Sequence, residues 1–363
     1  MVNVGSSSRR VLCREIEETD IHQLVDLLTK ALPHVPNRDN WTQTFQCLSK
    51  HRTPPGFPKY GYLLECKDAL VGVILLIYSS ISFNGESQIR CNESSWCVEP
   101  AFRGYASLLA SHGRGRKDVT HFNLSPGTHT LPNLEARGYV RYCSGWFASL
   151  PLLSARSHGA RVELVTTHWH PDQNLAPAEI ELLLAHASYG CISLTCSSRD
   201  GTHPFVFVRR RKSGIFPYVH LIYCRDVAEF VRFARPLGRF LAKRGFFLVT
   251  LDANGPIPGL VGKYFVGCPK YFKGPDQPRL GDLAYSELGM FPIFGERTPL
   301  ERLTKKLSSL RRSRQDQSSR IVAAATSNDQ YPVGNNSRSP SERHLKSAIT
   351  YTKPLGNRKI LKS

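Results

Sequence analysis

The sequence predicts an α/β (α+β) fold in which a mixed, twisted sheet is flanked by helices. Short runs of β-branched and aromatic residues, such as 70–78, alternate with segments whose apolar residues recur at helical spacing, such as 21–32. Hydrophobic residues make up 41% of the 363 residues, which is enough for sizeable cores. The order of strands and helices in the first half recurs in the second, which predicts two tandem copies of one fold.

The first half opens with an alternating strand, followed by an amphipathic helix with Thr19 or Asp20 as its N-cap. Gly138 is well suited to end a short helix near the close of this half. The elements predicted here are strands at 11–16, 62–78 (a hairpin), up to Val98, 119–124 and 139–150, and helices at 21–32, around 41–48, after Gly104 and at 131–137.

The second half runs through a similar order. Its predicted strands are 161–166, 191–196, 204–209, 218–224 and 246–251, and its predicted helices are 177–187 and 226–244. These patterns place the two copies at 1–155 and 156–302. We match Ala234–Gly238 to Arg103–Ala106 of the first copy. Because Pro236 removes one N–H from that stretch, the second copy is predicted to be degenerate.

The net charge of +19 is concentrated near the end of the chain. Residues 303–363 hold 13 Lys and Arg against 3 Asp and Glu, with few large apolar residues, which predicts a disordered basic tail. Contact between this tail and nucleic acid is left open, and a solvated tail is the default. The basic body suits phosphate-bearing partners, which include coenzymes as well as nucleic acids.

The cysteines and apolar runs indicate the compartment. Ten cysteines are scattered without a Cys-x-x-Cys pair, as expected for buried free thiols in a reducing environment. The first twenty residues lack the apolar core of a signal peptide. The longest apolar run is too short to cross a bilayer. We therefore expect a cytoplasmic protein without membrane contact.

The stretch SSWCVEPAFRGYASLL, residues 94–109, carries the strongest motif. A predicted strand ends at Val98, Pro100 follows, and a helix is predicted after Arg103-Gly104-Tyr105-Ala106. A strand that turns over a glycine into a helix builds an anion site, because the first N–H groups of the helix and its dipole attract negative charge. Arg103 would add a positive side chain beside them.

This motif resembles the coenzyme A motif of the GNAT superfamily of acyl-CoA N-acyltransferases, and further elements of that fold follow in order across residues 11–147. The resemblance implies transfer of an acetyl or other acyl group from acyl-CoA, the co-substrate, to an amine acceptor by direct attack. It implies that Arg103, Gly104, Tyr105 and Ala106 hold the pyrophosphate of the coenzyme. It also implies that the backbone of Trp96, Cys97 and Val98 pairs with the pantetheine arm and polarises the thioester carbonyl.

The reaction needs a base for the proton of the amine, and Glu93 lies on the same strand, three positions before Trp96. The alternative is that Glu93 faces solvent at the start of a strand. Asn123 and Asn133 are further candidates for contact with the coenzyme. Asn123 could instead shape a turn, together with Ser125, and Asn133 could cap a helix.

Two other signals receive the plainer interpretation. Cys97 is a packed thiol rather than a nucleophile, because nothing nearby would lower its pKa. His168 and His170 have a spacing that zinc tolerates, but no third ligand is in view, and we expect no metal.

Two departures from the family pattern favour another class of protein. Leu108 stands where the usual loop has glycine or alanine, and Leu134 stands where the family often has a proton-donating tyrosine. Tyr105, His129, Tyr142 or solvent would have to replace that donor. The alternative function is a non-catalytic coenzyme-binding or nucleic-acid-binding protein on the same scaffold.

Overall fold

Twelve strands form one mixed sheet in the part of the chain that the structure describes. The computed structural model describes residues 10–32, 37–83, 86–113, 116–155, 159–166, 168–171, 174–212 and 216–291, which all belong to one compact unit, residues 1–303. The predicted tail at 303–363 lies outside the described residues. Helices cover both faces of the sheet, so the predicted fold class is confirmed.

The first half supplies six strands and four helices of the described chain. Its strands are β1 (Leu12–Glu15), β2 (Gly61–Cys66), β3 (Ala69–Phe83), β4 (Glu86–Val98), β5 (Val119–Asn123) and β6 (Val140–Ser149). Its helices are α1 (Ile21–Ala31), α2 (Arg38–Lys50), α3 (Ala106–Gly113) and α4 (Leu131–Ala136).

The second half supplies the remaining six strands and three helices. Its strands are β7 (Arg161–Leu164), β8 (Ile192–Ser198), β9 (Gly201–Lys212), β10 (Phe216–Cys224), β11 (Val249–Ala253) and β12 (Gly262–Lys273). Its helices are α5 (Pro177–Ser188), α6 (Val227–Ala242) and α7 (Glu287–Met290).

The two halves exchange their last strands at the centre of the sheet. The strand order is β1-β2-β3-β4-β5-β12-β6-β11-β10-β9-β8-β7. Strand β12 pairs with β5, where Tyr271 faces Asn123, and β6 pairs with β11, where Ser149 faces Val249. The five outer strands of each half therefore run outward in the same order. The predicted boundary at 155/156 does not divide the sheet in two.

Two apolar layers hold the first half together. Leu63, Val73, Leu75 and Ile77 face α1 and α2, whereas the alternate residues of the same strands face α3. Both layers are nearly free of solvent contact, and each such side chain stabilises the fold by about 1.5–3 kcal/mol relative to exposure. This alternation fixes which side of β4 each later site residue faces.

The predicted match between Ala234–Gly238 and the turn at Arg103–Ala106 is wrong. Ala234–Gly238 is no turn: it lies inside α6, with Pro236 in the helix interior. Gly238 is needed there because an added Cβ would lie 2.6 Å from the backbone nitrogen of Leu152. The start of α6 is instead capped by Asp226, whose carboxylate accepts the N–H of Ala228 at 3.0 Å. That negative charge makes the helix start a poor anion site.

Candidate active site

Strands β4 and β5 diverge after a short parallel pairing. They are paired from Ile89–Val119 to Asn92–Phe122. Beyond Asn92, β4 continues along β3 alone, and within the described residues no backbone hydrogen bond joins 94–98 to β5. The gap between the strands leaves one edge of β4 open to a ligand that can pair with it.

A β-bulge bends β4 at this gap. Leu75 of β3 faces Ser94 and Val73 faces Cys97, so the single residue between them on β3 opposes two residues of β4. Ser95 takes a positive φ of 47°, which side chains rarely adopt. A bulge increases the local twist and redirects the strand, and it is common beside active sites. No glycine marks this position, so the bulge leaves no signal in the sequence.

Glu93 lies at the start of the gap and is buried, with 6% of its surface exposed. Its carboxylate accepts a hydrogen bond from the hydroxyl of Tyr139 at 2.5 Å. The ring of His121, on β5, places Nδ1 3.4 Å from the same carboxylate. The alternative that Glu93 faces solvent is therefore wrong. Its role as a base stays a prediction.

Sequence analysis did not single out Tyr139, although Gly138, the residue that positions it, was recognised as the end of a helix. Gly138 follows α4 with a φ of 80°, and the N–H of Tyr139 donates to the carbonyl of Leu134. The glycine thus reverses the chain and brings the next side chain back under the helix. Leu134 packs against Tyr139 instead of supplying a hydroxyl itself.

The other candidate proton donors lie elsewhere. Tyr142 is buried, with its ring centroid 6.4 Å from that of Phe122, and burial raises the pKa of its hydroxyl well above the usual value. Tyr105 is 41% exposed at the start of α3. The side chain of His129 lies outside the described part of the chain.

The opposite face of the gap holds a second carboxylate, Glu287, which the sequence did not single out. The hydroxyls of Ser94 on β4 and Ser125 after β5 both donate to it, the latter at 2.6 Å. Its backbone N–H donates to the side-chain oxygen of Asn92 at 2.7 Å. Burial raises the pKa of Glu287 above the ordinary value. This carboxylate therefore braces the two diverging strands.

The predicted pantetheine contacts line the open edge of β4. Trp96 is half-buried, and the guanidinium of Arg137 lies 5.5 Å from its ring. Cys97 packs against the core under α1, and burial raises the pKa of its thiol to about 12. That pKa fits a packed thiol and not a nucleophile. Val98 packs in the apolar layer on the other face of the sheet. The side chains of this edge therefore contribute to the core, and its backbone groups are the ones that can pair with a ligand.

The predicted anion turn has a different local structure. Pro100–Tyr105 forms a 3₁₀ helix that runs into α3, and the N–H of Ala106 donates to the carbonyl of Arg103. A proline favours the first position of a helix, so the helical segment begins earlier than predicted and uses that N–H internally. Arg103 and Gly104 are exposed, and a Cβ added to Gly104 would meet no atom within 4 Å. Their contact with a coenzyme stays a prediction.

The two predicted asparagines occupy different settings. Asn123 ends β5 opposite Tyr271, close to the point where the strands diverge. Asn133 is exposed inside α4, where Thr130 precedes the helix, so Asn133 does not cap it.

No group of three or more metal-binding side chains occurs within the described residues. No helix of that part of the chain is long and apolar enough to cross a membrane.

The matching gap in the second half is filled by the chain itself. Strands β10 and β11 are paired at Val219–Val249 and His220–Thr250. Past that point the N–H of Cys224 donates to Gly281, and the N–H of Leu283 donates to Ile222. We call residues 279–291 the strap. The backbone of the strap hydrogen-bonds to the backbone of β10. Its hydrogen bonds to β4 are made instead to the side chains of Asn92 and Ser94 on that strand.

Comparison with known proteins gives likeness at the level of structure only. No protein-family model and no curated protein sequence matches this chain. A GCN5-related N-acetyltransferase from Anabaena variabilis ATCC 29413 is similar with a TM-score of 0.49, 12% identity and 72% of each chain covered. A putative acetyltransferase from Pyrococcus horikoshii is similar with a TM-score of 0.46 and 14% identity, over 79% of this chain and 94% of the other. A probable N-acyltransferase from Enterococcus faecalis V583 is similar with a TM-score of 0.45 and 10% identity, over 76% and 73%.

The identities are low and the TM-scores stay below 0.5, so the function proposed below rests on the geometry of this chain.

Proposed function

We propose that the first half of this chain transfers an acyl group from acyl-CoA, such as acetyl-CoA, to an amine. The observation that carries the proposal is the open edge of β4 beside the buried Glu93–Tyr139 pair. An extended pantetheine arm has amide groups that can pair with such an edge as a further strand would. A buried acid–base pair at the end of that edge can exchange protons with the reacting groups.

The reaction then needs no covalent enzyme intermediate. The amine nitrogen attacks the thioester carbonyl carbon, and the carbon–sulfur bond breaks after the tetrahedral intermediate forms. A backbone N–H of the edge at Trp96–Val98 stabilises the developing oxyanion. Glu93 accepts the proton of the amine, directly or through water. Tyr139 gives its hydroxyl proton to the departing thiolate and regains one from Glu93 along their hydrogen bond.

We propose that each chain has one active site. The copy at 1–155 holds it, and the copy at 156–302 is degenerate. The backbone pairing of the strap at Cys224 and Ile222 fills the second gap. The capping carboxylate of Asp226 opposes an anion at the start of α6. Calorimetric titration with acetyl-CoA should give one equivalent bound per chain.

The brace formed by Glu287 favours a second candidate function. Its bonds to Ser94 and Ser125 span the gap on one face, as expected of a scaffold that binds the coenzyme without turning it over. The two candidates differ in turnover, because only the enzyme releases free thiol when an amine is added.

Release of coenzyme A thiol from acetyl-CoA, in the presence of a panel of amines and short peptides, tests the proposal. Glu93→Gln should slow turnover by about a hundredfold or more while leaving acetyl-CoA affinity within about twofold, because the amide cannot accept the proton. Glu163→Gln, a change on β7 of the second half, is the matched control and should leave both values unchanged. Binding without turnover for every amine would favour the scaffold.

A further inference from the structure

The gap of the first half is bounded by two strand edges, one on each side of the short strand β5. Strand β12 pairs with β5 only from Tyr271 to Lys273, but it pairs with β6 from Gly262 onward. The part of β12 before Tyr271 therefore runs past the end of β5, two strand spacings or about 10 Å from β4. The open edge of β4 is one wall of the gap, and we call residues 262–266 of β12 the far edge.

The far edge has backbone groups without a hydrogen-bond partner in the described part of the chain. The N–H of Leu150, just after β6, donates to the carbonyl of Val261, so these two residues form a hydrogen-bonded pair. Such pairs alternate along an antiparallel ladder. The N–H and C=O groups of Gly262, Tyr264 and Val266 therefore point away from β6. Within the described residues no backbone hydrogen bond reaches them.

The corresponding edge of the second half is covered by a side chain. Asn254, the residue after β11, accepts the N–H of Ser144 at 2.7 Å and donates to the carbonyl of Tyr142 at 2.9 Å. The residue after β5 is instead Leu124, which is buried in the core and has no amide in its side chain. Both edges of the second gap are thus covered, by the strap on β10 and by Asn254 on β6. Both edges of the first gap are left to ligands.

Apolar side chains of the far edge face solvent. Val266 is 82% exposed, and Phe265, whose ring stacks on that of Trp146 with the centroids 4.5 Å apart, is 37% exposed. An exposed apolar strand edge is a template for pairing with another extended chain. The far edge therefore suits a polypeptide that adds a strand, because its backbone supplies the matching donors and acceptors.

The far edge leads to the buried acid–base pair. The β4–β5 register places Glu93 level with Asn123, where β5 ends. Tyr139 packs against Tyr271, which lies opposite Asn123 on β12. A polypeptide antiparallel to β12 would run in the direction of β5 and begin just beyond Asn123. It would place its N-terminal amino group beside Glu93, whereas a parallel polypeptide would place a carboxylate there.

From these observations we infer that the acceptor is the N-terminal amino group of an extended polypeptide, which pairs with the far edge as an added strand. The inference rests on the proposed function and adds its substrate class. The coenzyme takes the edge of β4 and the acceptor takes the edge of β12. An amide bond forms between the terminal nitrogen and the acyl carbon as the carbon–sulfur bond breaks. Glu93 accepts the amine proton, and Tyr139 protonates the thiolate.

The register sets the length of polypeptide that the far edge requires. On β6, Arg141 is the partner of Tyr271 and Gly145 is the partner of Val266. An acceptor therefore spans about four residues before it reaches the far edge, and about four more pair with it as far as Gly262. A dipeptide would reach none of this edge, whereas an octapeptide would cover it.

Release of coenzyme A thiol from acetyl-CoA by the full chain tests the inference, with octapeptides of alternating valine and threonine after varied first residues as acceptors. For at least one first residue, kcat/KM should be at least about tenfold higher for the octapeptide than for the matching dipeptide amide. N-methyl groups on alternate residues of its second half should lower kcat/KM about tenfold in one register and less than about twofold in the other. An N-terminally acetylated octapeptide with an internal lysine should not react.

Val266→Pro should lower kcat/KM for the octapeptide by about tenfold, because proline lacks the N–H that faces the peptide. The fold should tolerate the change, since that N–H is outside the ladder with β6. Val266→Thr, which keeps the N–H, and Arg244→Ala, a surface change just after α6, are the controls and should stay within about twofold. Thermal unfolding checks that each variant is folded, and the N-methyl peptides test the pairing in the unchanged protein.

Reaction with small amines but not with peptides, or equal kcat/KM for the octapeptide and the dipeptide amide, would overturn the inference and leave the proposed function standing. Equal effects of the two N-methyl registers, or reaction at the internal lysine, would also overturn it. A dimer in sedimentation that Val266→Pro dissociates would assign the far edge to a second copy instead. Absence of reaction with every amine would overturn the proposed function and the inference together.

Discussion

The hydroxyl of Tyr139 donates a 2.5 Å hydrogen bond to the carboxylate of Glu93, across the gap where β4 and β5 part. The two residues are far apart in sequence, and they meet because Gly138 turns the chain under α4. The pair combines a proton acceptor and a proton donor in one buried contact.

Tyr139→Phe should lower kcat by about a hundredfold and leave acetyl-CoA affinity within about twofold, because the ring remains while the proton donor is lost. It should also cost about 1.5–3 kcal/mol of folding free energy, since the hydrogen bond reaches a carboxylate. Steady-state kinetics and urea unfolding measure the two effects. Tyr264→Phe, on β12, removes a hydroxyl outside the candidate site and keeps the backbone, so it is the control and should change neither. Unchanged kcat in Tyr139→Phe would contradict the proton relay.

Arg103→Ala should weaken acetyl-CoA binding by about tenfold to a hundredfold, because it removes a charge-assisted hydrogen bond to the pyrophosphate. Gly104→Ala gives a sharper test of backbone approach. An added Cβ meets nothing in the free protein, so the fold should tolerate the change and only a bound phosphate should feel it. Calorimetry with acetyl-CoA compares both variants with Arg244→Ala. Parental affinity in Arg103→Ala would show that this helical turn holds no anion.

Glu287 should make the folded protein less stable as the pH rises. Burial raises its folded pKa above 4.5, so the folded state holds the proton more tightly than the unfolded chain does. The free energy of unfolding should therefore fall as the pH rises from about 4.5 through the folded pKa. In Glu287→Gln that decline should vanish, whereas Glu163→Gln should keep it. Urea unfolding at a series of pH values measures the slope, and a parental slope in Glu287→Gln would refute the assignment.

His186 should act in the opposite direction. Its Nδ1–H donates a hydrogen bond to the carbonyl of Leu182, and its Nε2 accepts one from the N–H of Tyr285. Burial lowers the pKa of the His186 ring to about 4. The unfolded state binds the proton more readily, so stability should be lost as the pH falls from about 6.5 to about 4, by up to about 3 kcal/mol. His186→Gln should flatten this loss, and the exposed His22→Gln should not. Thermal unfolding across that range decides between them.

The sequence contained most of the fold but less of the candidate site. The hairpin of β2 and β3 and the helices α1 and α6 were readable because apolar spacing reports directly on burial. Exchange of β6 and β12 was not readable, since strand pairing between distant segments leaves no local pattern. Glu93 was found on its strand, whereas its partner Tyr139 required knowing how a glycine turns the chain.

Glu287 could not have been found by local reasoning. It lies nearly two hundred residues beyond Ser94 and meets that serine only through the strap. The predicted turn at 103–106 failed for a local reason: Pro100 started a helical segment earlier than the glycine suggested.

The exchanged strands also set the order of events during synthesis. Strand β6 ends at Ser149, but its partner β11 begins at Val249, about 100 residues later. At about 5–20 residues per second, the ribosome takes about 5–20 s to supply it. Strand β5 waits longer still, for β12. The nascent first half therefore emerges as an incomplete sheet whose open edges are exposed to aggregation until the final strand arrives.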